Sequence, residues 1–209
     1  MRTLALWTAF ALVAAAPQDE EKGFEKLFNG TDFTGIKFVL QSNADAAKTF
    51  SVVDGAIECT GKPNGYWHTE KNYKDFVLRF EFRYKKPGGE VDESKWGGNS
   101  GYLLFIEEPH KVWPKCVEVQ GMNKDVLMLI ALGVKSKQTF HDPEARKTVR
   151  KPLGEWNAVE IASKGGVITN SLNGTKISVI EAPDAKPGPI AFQSEGAPIG
   201  WKNIRIKAE

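Results

Sequence analysis

The chain has 209 residues, with 28 Lys and Arg against 26 Asp and Glu, so its formal net charge is +2. That length suffices for one well-buried domain and is marginal for two. No basic tract is long enough to follow a phosphate backbone, so we expect no nucleic-acid partner. Two Cys and three His exclude a zinc-finger array and a disulfide-stapled miniprotein. Twenty Gly, 11 Pro and the scarcity of helical runs favour one soluble, β-rich domain.

The first 16 residues have the layout of a secretory signal peptide. Arg2 precedes an apolar run over residues 4–13, and alanines occupy positions 14–16 where a signal peptidase would cut. The run is too short for a permanent membrane span, which needs about 20 apolar residues. We therefore expect an exported protein, periplasmic or extracellular, with no stable span after cleavage. Residues 17–22 then form a polar linker, and residues 23–208 form the folded domain.

Alternating apolar residues and turn signals predict strands along most of the domain. Phe76–Tyr84 alternates over nine residues, which is typical of a strand with one buried face. Asp54-Gly55 and Asn173-Gly174 each separate two apolar runs and predict hairpins. Further strands are predicted at 101–106, 116–120, 156–162, 190–193 and 202–206, and short helices at 44–48 and 143–147. About ten short strands predict an all-β fold, an antiparallel two-sheet sandwich.

The two cysteines allow alternative interpretations. In an exported protein, Cys59 and Cys116 would lie in a compartment where a disulfide persists. Their separation permits a bridge, but sequence does not show whether their β-carbons meet. A disulfide and two buried free thiols both stay open at this stage.

One acidic stretch resembles a glucanase catalytic strand but has the wrong context. Residues 90–93 read Glu-Val-Asp-Glu, with glycines on both sides and no apolar alternation around them. A retaining glycosidase needs two carboxylates about 5 Å apart, held rigidly. We predict an exposed acidic loop at this position.

A better candidate site follows Cys116. Val117 and Val119 would share one face of a strand, which leaves Glu118 and Gln120 on the other face, about 7 Å apart. A partly buried carboxylate can act as a general base, and an amide can both donate to and accept from a sugar hydroxyl or carbonyl. An ordinary solvent-facing polar pair is the alternative interpretation. We predict that both side chains point away from the core between the sheets.

Other polar groups are candidates for the same surface. Asn99 lies in a glycine-rich stretch, residues 97–101, where a ligand can approach the backbone closely. Gln193 and Glu195 alternate at the end of another predicted strand. Trp67, Trp96 and Trp113 are each candidates for a flat surface under a sugar ring, with a place in the core or at its rim as the alternative. The three histidines lack metal-ligand spacing, and the chain has no Gly-x-Ser-x-Gly motif.

The order of several short motifs resembles one family. Residues 23–35 read GFEKLFNGTDFTG, and further matches follow in order at 69–76, 98–101, 111–115 with 118–120, 154–157, 172–174, 188–190 and 201–206. Together they resemble the 3-keto-disaccharide hydrolase family over about residues 23–207. The resemblance implies a concanavalin A-like jelly roll whose concave sheet binds sugar, and bacterial export is typical of the family.

The same resemblance implies cleavage of glycosides already oxidised at C3 of the sugar ring. Glu118 is then expected to be the base, with Gln120 and Asn99 holding the sugar or the developing enolate. Lys115 and Lys202 lie in the matching motifs and join Trp113, Gln193 and Glu195 as expected substrate-binding residues. No cofactor is required by the sequence, and a divalent metal is a possible stabiliser of negative charge.

Two other functions remain open on the same fold. One is a non-catalytic carbohydrate-binding module, which would bind sugars without turnover. The other is an adhesive or structural partner of cell-surface proteins, which a large exposed apolar patch would favour.

Overall fold

The computed structural model describes residues 21–209, so the predicted signal peptide and most of the linker lie outside the described residues. The strands in chain order are β1 (Glu25–Lys26), β2 (Ile36–Leu40), β3 (Phe50–Val53), β4 (Ala56–Cys59), β5 (Gly65–Thr69), β6 (Phe76–Tyr84), β7 (Gly101–Leu104), β8 (Cys116–Gln120), β9 (Leu129–Leu132), β10 (Lys137–His141), β11 (Asn157–Lys164), β12 (Val167–Leu172), β13 (Thr175–Glu181), β14 (Ala191–Ser194) and β15 (Ile199–Ala208). One α-helix, α1 (Pro143–Val149), and two short 3₁₀ turns, Gln41–Asn43 and Ala46–Lys48, complete the described elements.

These strands form two antiparallel sheets. The nine-stranded sheet has the order β10-β13-β12-β11-β6-β15-β4-β3, with β1 added to β15. The six-stranded sheet has the order β2-β5-β14-β7-β8-β9. The predicted fold class, an all-β antiparallel sandwich of the jelly-roll type, is confirmed.

The core lies between the two sheets and is rich in aromatic side chains. The apolar face of β6 contributes Phe80 and Phe82, which pack against Tyr102 of β7. Trp67 of β5 stacks on Phe192 of β14 with ring centroids 4.3 Å apart. Large rings from both sheets bury several hundred Å² of apolar surface together, which fixes the six-stranded sheet on the nine-stranded one. Trp67, considered for a sugar-binding surface, is therefore a core residue.

The predicted strands differ from the observed ones at two kinds of position: where the backbone conformation ends a strand early, and where both faces of a strand are buried. The strand predicted over 101–106 ends at Leu104, because Phe105 adopts a left-handed backbone conformation with φ 59°. Strands β1, β2, β5, β9 and β10 were not predicted. All five residues of β5 are buried, so polar and apolar residues do not alternate along it.

The cysteines lie on different sheets and are both free thiols. Cys59 packs into the core from β4, whereas Cys116 lies on the outer face of β8 in a small apolar cluster. Burial raises the pKa of both thiols. Of the two interpretations left open by the sequence, buried free thiols are the one observed.

The acidic stretch at residues 90–93 lies in a loop, as predicted. Asp92 accepts a hydrogen bond from the Ser94 hydroxyl at 2.6 Å, and Glu93 accepts one from the Leu153 amide at 3.0 Å. Both carboxylates therefore stabilise local loop structure. Within residues 21–209, no helix has the length and apolar character needed to cross a membrane.

Candidate active site on the six-stranded sheet

Strand β8 directs its side chains as its sequence predicts. Val117 and Val119 belong to the core between the sheets, and Glu118 and Gln120 lie on the opposite, outer face. β8 pairs with β7 on one side and β9 on the other, so the strand is held along both edges. Glu118 is only 5% exposed and Gln120 7% exposed. The pair is therefore far more buried than an ordinary solvent-facing polar pair would be.

Apolar neighbours account for the burial of Glu118. The strand register places Leu103 of β7 and Ile130 of β9 on either side of it. Leu103 belongs to an outer-face cluster with Tyr66, Cys116 and Ala191, each of them fully buried. This cluster removes water from one side of the Glu118 carboxyl group.

A glycine opens the site beside this carboxyl group. Gly101 pairs with Gln120 across β7 and β8, and the register of β14 brings Gln193 to its other side. A β-carbon on Gly101 would overlap Gln193 Oε1 and would lie 2.7 Å from Glu118 Oε1. The Ser100 hydroxyl donates to the Gln193 carbonyl at 2.9 Å and fixes β14 against β7. Gly101 thus allows Gln193 and Glu118 to converge.

Several buried polar atoms at this point have no hydrogen-bond partner within the described part of the chain. Gln193 is 1% exposed, and neither its Oε1 nor its Nε2 is hydrogen bonded. Asn99 Oδ1 and Glu195 Oε2 are likewise buried and unpartnered. Leaving such a group unsatisfied costs about 1–3 kcal/mol, so a cluster of them indicates a site shaped for a polar ligand. Gln120 differs, because its Oε1 accepts from the Met122 amide at 2.9 Å.

The two carboxyl groups of the site hold their protons unusually tightly. Burial, followed by the negative charge of Glu195, raises the pKa of Glu118 to about 8. Burial raises the pKa of Glu195 to about 7. Because each value lies well above the ordinary range for a carboxyl group, the pair carries one shared charge near neutral pH. Such a pair can supply both a base and an acid.

The structure therefore brings together five of the eight site residues expected from the sequence. Glu118, Gln120, Asn99, Gln193 and Glu195 meet on the outer face of the six-stranded sheet, at the ends of β8 and β14 and the start of β7.

The other three expected residues lie elsewhere. Trp113 is 48% exposed on the loop that leads into β8. Lys115 precedes the opposite end of β8 and is paired with Glu107 at 2.9 Å. Lys202 requires a correction: it lies on β15 of the other sheet, with its ammonium 4.4 Å from the Trp156 ring centroid. Its neighbour Trp201 fills the core, so alternation directs Lys202 to the far outer face, away from Glu118.

Two features of the site were missed by sequence reasoning. The first is the role of Gly101 as the opening between Gln193 and Glu118, for which the glycine-rich stretch 97–101 was the available signal. The second is the charge coupling of Glu118 to Glu195, which are 77 residues apart and meet only through the pairing of β14 with β7 and β7 with β8. Within the described residues, no group of three or more His, Cys, Asp or Glu is placed to hold a metal ion.

The fold and the site define a jelly-roll domain of the glycosyl hydrolase-like or carbohydrate-binding class. The sequence matches the 3-keto-alpha-glucoside-1,2-lyase-like domain over residues 23–207, and the chain belongs to this family. No curated protein matches the sequence significantly.

Three solved structures of similar fold are distant in sequence. A Parabacteroides distasonis protein provisionally assigned as a glycosyl hydrolase is 22% identical, with a TM-score of 0.67 over 94% of this chain and 98% of that chain. The carbohydrate-binding module CBM66 from Bacillus subtilis is 10% identical, with a TM-score of 0.59 over 83% and 96%. A Bacillus licheniformis β-glucanase is 10% identical, with a TM-score of 0.54 over 89% and 97%. These similarities establish the jelly-roll fold.

Proposed function

We propose that this protein cleaves 3-keto-glycosides by a base-initiated elimination followed by hydration. The observation that carries the proposal is the buried, unpartnered Gln193 amide beside two carboxyl groups with raised pKa values, Glu118 and Glu195. Membership of the 3-keto-alpha-glucoside-1,2-lyase-like family supports the same chemistry.

The reaction needs one base and a stabiliser of negative charge. A ketone at C3 acidifies the C2 proton, and its removal leaves the electron pair in an enolate. The enolate then expels the substituent at C1, which forms the C1=C2 bond of an enone and regenerates the C3 carbonyl. Water adds to C1 and a proton returns to C2, which yields the free 3-keto sugar. An unoxidised glycoside has no acidic C2 proton and is not a substrate.

The site residues divide these tasks between them. Glu118, in its ionised form, takes the C2 proton. The free N–H groups of Gln120 and Gln193 donate to the enolate oxygen. Because these donors are already in position, they stabilise the developing negative charge without a rearrangement of the site. Asn99 Oδ1 accepts from a sugar hydroxyl.

Glu195 is proposed as the acid that protonates the leaving oxygen. It lies at the end of β14, beyond Gln193 and farther from the apolar cluster that surrounds Glu118. The active arrangement has one proton on the pair, held by Glu195 while Glu118 is ionised. Because the pKa of Glu118 is the higher of the two, this arrangement is the minor tautomer of the singly protonated pair. Without this proton, a sugar would have to leave as a poorly stabilised alkoxide.

Turnover of defined substrates tests the proposal. Purified protein is incubated with a 3-keto-disaccharide, with the same substrate deuterated at C2, and with the unoxidised disaccharide. We expect cleavage of the keto substrate only, and slower cleavage after deuteration if proton removal limits the rate. Adding a chelator tests the divalent metal, which the proposed steps do not use. A parent protein that cleaves none of these substrates contradicts the enzymatic proposal.

A non-catalytic carbohydrate-binding function is the second candidate. The unpartnered Gln193 and Asn99 atoms suit sugar hydroxyls equally well, and a carbohydrate-binding module shares the fold. Binding of sugars without any turnover would support this candidate.

Export is also part of the proposal. The layout of residues 1–16 supports signal cleavage, with residues 17–22 as linker and residues 23–208 as the active domain. N-terminal sequencing of protein recovered outside the cytoplasm should begin at about residue 17. Recovery of uncleaved protein from the cytoplasm alone would contradict this proposal.

A further inference from the structure

We propose that a cavity beside the site binds the sugar that leaves from C1, an inference that rests on the proposed function. The cavity has a volume of about 500 Å³, within the range typical of small-ligand pockets. Its lining includes Lys85, Lys86, Trp96, Gly97, Gly98 and Gly196.

The cavity adjoins the site on two walls. Gly98 immediately precedes Asn99, and Gly196 immediately follows Glu195. One residue of extended chain spans about 3.3 Å, so the cavity begins one residue along the backbone from Asn99 and from Glu195. Asn99 and Glu195 each carry a buried oxygen with no partner among the described residues. A disaccharide with one ring near Glu118 would therefore extend its second ring past Glu195 and into this cavity.

Trp96 gives the cavity a rigid aromatic wall. Its half-buried indole packs edge-on against Tyr84, with ring centroids 4.9 Å apart and planes at 78°. A β-carbon on Gly98 would overlap the indole, so glycine at this position allows the ring to lie against the backbone. A flat ring packed in this way suits the apolar face of a pyranose.

The remaining walls suit a neutral, hydroxyl-rich ligand. The absence of side chains at Gly97 and Gly196 leaves backbone groups accessible to hydroxyls. Lys85 is engaged by Glu58 at 3.1 Å, whereas the exposed Lys86 ammonium offers hydrogen-bond donors to sugar oxygens. One available ammonium matches a neutral sugar better than a strongly anionic ligand.

Gly97→Leu tests the cavity without removing a packed side chain. Gly97 lines the cavity and has no left-handed φ, and a β-carbon there meets nothing within 4 Å, so the backbone tolerates a large side chain at the cavity wall. We expect kcat/KM for a 3-keto-disaccharide to fall about 10–100-fold, while kcat/KM for methyl 3-keto-glucoside stays within about twofold. Gly88→Leu is the matched control, because Gly88 has the same backbone freedom in the same loop but does not line the cavity.

A second variant pair guards against misfolding in the loop. Trp96→Phe keeps an aromatic ring against Tyr84 but shortens the cavity wall, and should weaken the disaccharide reaction selectively. Trp156→Phe is its control, since Trp156 contacts Arg83 and Lys202 of the other sheet and does not line the cavity. Equal losses on both substrates, or no loss on either, would overturn the cavity assignment.

Direct binding separates this inference from the proposed function. Quenching of tryptophan fluorescence by glucose reports binding with no chemistry involved. If the parent protein cleaves neither keto substrate, binding of glucose that is lost in Gly97→Leu and kept in Gly88→Leu preserves the cavity as a sugar site while the enzymatic proposal fails. Binding that Gly97→Leu leaves unchanged, or no binding together with no turnover, overturns the cavity assignment.

Discussion

Gly101 and Gln193 are complementary: the space that a β-carbon on Gly101 would occupy is filled by the Gln193 amide oxygen. The same β-carbon would approach Glu118 Oε1 to 2.7 Å. Gly101 has no left-handed φ, so its backbone does not require glycine. Glycine is needed because the Gln193 and Glu118 side chains converge over this position. The requirement therefore comes from the site and not from the backbone conformation.

Replacing Gly101 with Ala should therefore damage the site more than the fold. The added methyl group displaces the Gln193 amide and crowds Glu118. Loss of one aligned oxyanion donor typically costs about 10²–10³ in kcat, and we expect a fall of that order in turnover of a 3-keto-glycoside. Steady-state kinetics and thermal melting are measured together, with Gly88→Ala as the control. Full activity in Gly101→Ala would show that the Gln193 position is irrelevant to catalysis.

Glu118→Gln removes basicity while it keeps shape and hydrogen bonding. General-base catalysis is worth about 10²–10⁴ in rate, so turnover should fall by that order. Affinity for the substrate, measured by calorimetry, should change by less than about tenfold. If turnover survives, Glu118 is a spectator, and Glu195 is the next residue to test as the base.

Glu195→Gln should show a dependence on the leaving group. A proton from Glu195 matters most when the departing group is a poor one, such as a sugar alkoxide. We expect loss of about 10²–10⁴ in kcat for a 3-keto-disaccharide and a much smaller loss for a nitrophenyl 3-keto-glucoside. Comparing kcat for the two substrates in the parent and the variant measures this difference. Equal losses on both substrates would assign Glu195 a role other than acid.

Strands could be predicted from the sequence where one face is buried and the other is exposed to solvent. Phe76–Tyr84 was predicted with its observed bounds, because its side chains alternate between the core and the outer face. β5 was missed because both of its faces are covered. The early end of β7 follows from the left-handed φ of Phe105, which no local pattern revealed.

The site was predictable in its parts but not in its assembly. Alternation was enough to predict the direction of Glu118 and Gln120. Their depth of burial depends on Leu103 and on Ile130, whose strand β9 was not predicted. Lys202 was grouped with the site only by its motif, and strand order separates it from Glu118 by the whole thickness of the sandwich.

Activity should have a bell-shaped pH dependence. The active form has one proton on the pair, so it is lost below the pKa of about 7 of Glu195 by protonation of both groups. It is lost above the pKa of about 8 of Glu118 by ionisation of both. The profile of kcat/KM for a 3-keto-glycoside should therefore peak between these values. In Glu195→Gln only one limb should remain, and a profile flat from pH 5 to 10 would contradict the shared-proton mechanism.

Burial of Glu118 also predicts that its replacement stabilises the protein at high pH. An unfolded Glu ionises near pH 4.3, whereas the folded state raises the pKa of Glu118 to about 8. Below the unfolded pKa both states hold the proton. As the pH rises from there to about 8, the unfolded state releases its proton first, and the folded state loses stability at up to about 1.4 kcal/mol for each pH unit. Glu118→Gln has no proton to lose at this position. Its melting temperature relative to the parent should therefore rise between pH 5 and pH 8.5.

Glu90→Gln, which replaces an exposed loop carboxylate, is the matched control, and its melting temperature relative to the parent should change little between the two pH values. A difference between Glu118→Gln and the parent that is the same at both pH values would mean that Glu118 ionises in the folded protein as easily as it does in the unfolded chain.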